Sequence, residues 1–142
     1  MSRYAEGTRV SVASSRGEIT GILAKHGCHT MAWGTEPSGD TLMFALGGHQ
    51  FRFAITKPTW NDLAGRYARP WTIDKPAAID REWMRRWRAH VLLIKAKLEF
   101  IEGGDTTLER EFLPYAVLRD GRTLGELVEA GGLPLLAAGG ST

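Results

Sequence analysis

The run Arg81-Glu82-Trp83-Met84-Arg85-Arg86-Trp87-Arg88-Ala89-His90-Val91-Leu92-Leu93-Ile94-Lys95-Ala96-Lys97-Leu98-Glu99-Phe100-Ile101-Glu102, closed by Gly103-Gly104, decides the fold. Met84, Trp87, Val91, Ile94, Leu98 and Ile101 recur at steps of three, four, three, four and three, the spacing that lines up one apolar face of an α-helix. A long helix over residues 79–103 is expected, with that face buried. Its charges oppose its own dipole. Arg81, Arg85, Arg86 and Arg88 occupy the first half while Glu99 and Glu102 stand in the last turn. A helix on its own favours acids first and bases last, by about 0.3–1 kcal/mol per well-placed charge. The arginines therefore call for a neutralising group outside the helix: a nucleic acid, a partner protein or another part of the chain.

A chain of 142 residues suits one domain, burying roughly two-thirds of the surface of the extended chain without help from metals or disulfides. The expected division of this single domain, 1–142, is a first half over 1–57, a connector over 58–78, the long helix over 79–103 and an acidic helical tail over 105–136. The lone cysteine, Cys28, cannot close an internal disulfide, and Met1-Ser2-Arg3-Tyr4-Ala5-Glu6 lacks the apolar core of a signal peptide. The apolar run Val91 to Ile94 stops at Lys95 and Lys97, far short of the roughly eighteen residues that span a bilayer. A soluble, cytoplasmic protein without membrane partners is expected. The net charge of +2 is too small to predict a polyanionic partner by itself. Its distribution says more: residues 60–97 hold nine Lys or Arg against four acids, a balance of +5, and residues 99–129 hold eight acids against three arginines, a balance of −5. Either the acidic part covers the basic part or the two face different partners.

Outward from the helix, the first half reads as β-α-β-β-β. Arg9-Val10-Ser11-Val12 alternates like a short strand, and Ser15 with Glu18 forms a capping box for a helix that runs to about His26 and ends at Gly27. Cys28 to Gly34, Thr41 to Leu46 and His49 to Thr56 follow as an antiparallel meander, separated by Pro37-Ser38-Gly39-Asp40 and by Gly47-Gly48. Leu42, Phe44 and Leu46, with Phe51, Phe53 and Ile55, alternate with their neighbours and should share the buried face. Lys57 to Ala78 carries Pro58, Pro70 and Pro76 and no period, so it reads as an irregular connector whose aromatics order it against the core. Thr106 with Glu109 and Thr123 with Glu126 mark two short helices, the first ended by Pro114, and a strand at Tyr115 to Leu118 is expected between them. The fold class is α+β: an antiparallel sheet packed by one long helix, with short C-terminal helices.

Candidate chemistry concentrates in the basic centre. Arg66, Arg69, Arg81, Arg85, Arg86 and Arg88 are interleaved with Trp60, Tyr67, Trp71, Trp83 and Trp87. Guanidinium groups bind phosphates, and unpaired bases stack on aromatic faces for about 1–3 kcal/mol each. Helical spacing places Arg81, Arg85 and Arg88 on one side, whereas Trp87 lies on the core stripe and competes as a packing residue. His26, Cys28 and His29 match no zinc-ligand spacing, and no base and orienting residue stand beside Cys28 to make it a nucleophile. No metal, no cofactor and no enzymatic activity are expected. A helical stripe at these steps also suits a helix–helix homo-oligomer.

Arg86-Trp87-Arg88 through Ile94-Lys95-Ala96-Lys97-Leu98-Glu99, then Gly103, Thr107, Glu111-Phe112-Leu113 and Asp120-Gly121-Arg122-Thr123, together with Ala5-Glu6-Gly7-Thr8, Val12, Ser14-Ser15-Arg16 and Glu18-Ile19, resemble a recurrent family of short phage- and prophage-encoded proteins. The resemblance spans both ends and fades in the connector. It implies a bacterial host cell and the roles such proteins fill, and it assigns no catalytic residue. The combined expectation is a non-catalytic nucleic-acid-binding protein that prefers single-stranded DNA and uses Arg66, Arg69, Trp71, Arg81, Arg85, Arg86, Arg88, Trp60 and Tyr67. The alternative is an inhibitor or adaptor that binds a host defence protein, with the acidic tail imitating DNA.

Overall fold

The computed structural model describes residues 10–139. Arg9 of the expected leading strand and the Ala5-Glu6-Gly7-Thr8 motif lie outside them. In chain order the described elements are α1 (Val12–Lys25), β1 (Thr30–Glu36), β2 (Gly39–Leu46), β3 (His49–Thr56), α2 (Trp60–Leu63), α3 (Lys75–Glu102), α4 (Leu108–Phe112) and α5 (Leu124–Glu129). Short 3₁₀ turns at Ala64–Arg66, Pro70–Thr72 and Leu113–Tyr115 join them. The strands form an antiparallel sheet in the order β1-β2-β3. Its second hairpin turns on Gly47 and Gly48, whose φ values of 59° and 82° are the left-handed pair that a two-residue turn between twisted strands needs.

One face of the sheet is buried by α1 and α3. Leu42, Phe44, Phe51, Phe53 and Ile55 from the sheet meet Ile19 and Leu23 from α1, and Trp87, Val91, Ile94 and Leu98 from α3, in a single core cluster closed by Phe112 of α4. Trp87 and Val91 are fully buried. Each such side chain contributes about 1.5–3 kcal/mol by leaving water, so the three-four stripe is the main reason that α3 lies where it does. Met84 and Ile101, at the ends of the stripe, are half-buried.

The α+β class, the meander, the long helix and the short C-terminal helices are all present. The leading strand is not: Val10 and Ser11 are outside any strand, and Val12 already opens α1. Ser11, not Ser15, is the cap, its hydroxyl accepting the Ser14 N–H at 3.0 Å. Starting there places Ser15, Ile19 and Leu23 four residues apart on the buried face, a gain in packing that outweighs a two-residue alternation. The connector is more regular than its composition suggests, containing α2 and two 3₁₀ turns. The long helix starts four residues before 79, because Asp74 accepts the Ala77 N–H at 3.2 Å and Pro76 stands in the first turn, where no backbone donor is needed. Thr107 replaces Thr106 as the α4 cap; Thr106 instead donates to Glu111 at 2.9 Å. Tyr115 to Leu118 reaches the sheet through a bridge between Phe51 and Ala116, and a second bridge, Val117 to Thr123, closes the segment on itself, while the Thr123–Glu126 capping box is formed.

Candidate nucleic-acid interface

Near the start of α3, Glu82 faces inward with 5% of its side chain exposed. The residues three and four positions on are one turn away along the same helix. Arg85 takes both carboxylate oxygens, Nε to Oε1 at 2.7 Å and Nη2 to Oε2 at 3.0 Å, and Arg86 donates Nε to Oε2 at 3.0 Å. Arg66 arrives from the 3₁₀ turn after α2, its Nη1 lying 3.3 Å from Oε1. Hydrogen bonds from Arg85 first, then Arg86 and Arg66, outweigh the cost of burial and hold the carboxyl at about 2. The same contact raises the Arg85 guanidinium. Arg86 also donates to the Thr56 carbonyl at 2.8 Å and lies 3.9 Å from Asp62, which ties the end of β3 and α2 to the helix.

Above this hub is a hollow of about 200 Å³ lined by Leu63, Arg66, Tyr67, Ala78, Arg81, Glu82 and Arg85. Arg81 has no carboxylate partner among the described residues. Arg66, Arg81 and Arg85 thus share one wall-to-wall space with a single acid, an excess of positive charge beside an apolar floor. The aromatic residues divide. Trp60 and Tyr67 stack on each other with ring centres 5.9 Å apart, and Lys75 Nζ lies 5.5 Å from the Trp60 ring. Trp60 is therefore engaged within the protein. Trp71 is 78% exposed. Trp87 is buried against Trp33 at 5.4 Å, with Arg16 5.3 Å from its ring.

Of the nine residues that the sequence nominates, Arg66, Tyr67, Arg81 and Arg85 converge on the hollow. Arg69 and Trp71 are exposed on the adjoining turn. Arg86 is turned inward by Glu82 and Thr56. Arg88 does not line the hollow with Arg81 and Arg85; its side chain is drawn across to Glu18 of α1. Glu82, Leu63 and Ala78 were absent from the sequence-based set. The spacing of Glu82 to Arg85 and Arg86 is a readable signal for the first; nothing local signals the others.

The acidic segment meets the basic one at Lys97 but leaves the hollow uncovered. Its carboxylates are spread over different partners: Glu102 near His26 at 3.8 Å, Glu109 on His49 at 3.1 Å, Glu111 near Lys97 at 3.6 Å, and Glu126 on Arg52 at 2.6 Å. His26 and His49 thus lie beside glutamates, and Cys28 is buried, its thiol 3.3 Å from the Ala45 carbonyl. Among the described residues, no cluster of His, Cys, Asp and Glu could hold a metal ion, and no helix is long and apolar enough to cross a membrane. No protein-family model, curated protein or solved structure matches the chain.

Proposed function

We propose that this chain binds single-stranded DNA without catalysing a reaction, in the phage or prophage setting that its sequence resembles. The observation that carries this reading is the hollow in which Arg66, Arg81 and Arg85 surround one carboxylate. A phosphate placed there meets guanidinium donors from two elements, and their planar forks suit its oxygens. Glu82 fixes Arg85 and part of Arg66 in advance, so less side-chain freedom is lost on binding. With its carboxyl held at about 2, this hub stays ionised throughout the neutral range. Trp71 offers an open indole face on the adjoining turn. An unpaired base can stack on it, whereas a base in a duplex is already stacked.

The test is a fluorescence titration with single- and double-stranded oligonucleotides at two salt concentrations. Single strands should bind more tightly, and log affinity should fall with log salt at about −0.7 per contacted phosphate. Charge reversal by Arg66→Glu with Arg81→Glu should abolish binding. Absence of binding at low salt, or affinity indifferent to salt, overturns the reading.

A further inference from the structure

A second apolar stripe runs along α3, on the side away from the core. Ala89, Leu93, Ala96 and Phe100 follow at steps of four, three and four, with Leu92 beside them. Leu92 is 55% exposed and Phe100 50% exposed. Leu93, Ala96, Glu99 and Phe100 also line an open groove of about 570 Å³. We infer that this face pairs with a second copy of the chain, helix against helix and antiparallel, about a two-fold axis between Leu92 and Leu93.

Charge and size select that partner. An axis at this point sets Leu92 and Leu93 against their own counterparts and Ala89 against the partner's Ala96. Small residues at two crossing points allow close approach of the backbones, and a two-fold interface requires one patch to complement itself. Glu99 then meets the partner's Arg85, and the pair occurs twice. Glu99 has no basic partner among the described residues. Arg85 uses Nε and Nη2 on Glu82, which leaves Nη1 for a second carboxylate. The stripe from Arg85 to Phe100 covers about 22 Å of helix at 1.5 Å per residue. Parallel pairing would instead place Glu99 beside Glu99 and Arg85 beside Arg85. The inference stands independently of the nucleic-acid reading, although it sets two hollows at opposite ends of the pair, about 30 Å apart along the axis.

Sedimentation equilibrium should show the mass doubling within about 1–100 μM, as suits an interface below standard size. Leu92→Glu should remove the dimer while leaving the far-ultraviolet circular dichroism unchanged, and its melting temperature should no longer rise with protein concentration. Cysteine cross-linking fixes the geometry without relying on that variant: Leu93→Cys should oxidise to a covalent dimer, and Arg85→Cys and Phe100→Cys should not. A protein that is monomeric throughout the range overturns the inference, as does a dimer that survives Leu92→Glu or one cross-linked equally at all three positions.

Discussion

The basic centre and the acidic C-terminal segment carry equal and opposite charge, +5 over residues 60–97 and −5 over residues 99–129, yet the fold treats them differently. In the basic centre three arginines are gathered onto Glu82, and positive charge is left over in one hollow. In the acidic segment the glutamates are parted: Glu102, Glu109, Glu111 and Glu126 each lie beside a different base on another element. Concentration around one counter-ion leaves a site; dispersal over many leaves a solvated surface. A charge count along the chain cannot distinguish the two, because it records how many charges are present and not where their partners lie.

The largest test attacks the frame beneath the arginines. Trp87 is fully buried, and Trp87→Ala should cost about 3–5 kcal/mol in urea unfolding, a large share of a small domain's stability. DNA affinity should fall with the folded fraction. If Trp87→Ala kept full stability, the arginines would not depend on the core for their placement.

Next is the hub itself. Removing Glu82 strands Arg86 and frees Arg66 and Arg85, so Glu82→Ala should lower stability by about 2–4 kcal/mol. The effect should depend on pH. The folded-state value of about 2 lies below the ordinary 4.5, so the contribution is complete above pH 4.5 and is lost as pH falls towards 2. With allowance for the water that reaches Arg66 and Arg85, it amounts to about 1–3 kcal/mol. Stability curves of the parent and Glu82→Gln should therefore converge on acidification; parallel curves would mean that the carboxylate is not the shared counter-ion.

A smaller change separates binding from folding. Trp71→Ala should weaken single-strand binding by roughly 1–3 kcal/mol and move the melting temperature little, since the side chain is 78% exposed. A large loss of stability with unchanged affinity would make Trp71 a packing residue. The smallest effect belongs to the acidic segment: Glu109→Gln, at an exposed pair with His49, should change stability by at most about 1 kcal/mol and leave DNA binding intact. A loss of binding there would erase the contrast between the two regions.

The core stripe of α3 and the buried rows of β2 and β3 were legible in advance because they rest on the 3.6- and two-residue periods of single elements. The Thr123–Glu126 cap was legible for the same reason: its partners are three residues apart. At the start of α1 the alternation of residues 9–12 and the Ser15–Glu18 spacing misled, and burial of Ile19 and Leu23 set the start of the helix at Ser11. Trp60 and Trp71 looked alike in a connector without period; stacking on Tyr67 occupied one and left the other open. Sequence by itself thus determined the fold class, the placement of Trp87 in the core and the mismatch between the arginines and their helix dipole. Only the tertiary structure decided that Arg66 joins Arg85 and Arg86 at Glu82, that Arg88 crosses to Glu18, and that the acidic segment leaves the hollow uncovered. Periodicity acts between neighbours along the chain, whereas a charge is satisfied by whichever opposite group comes within a few ångströms in space.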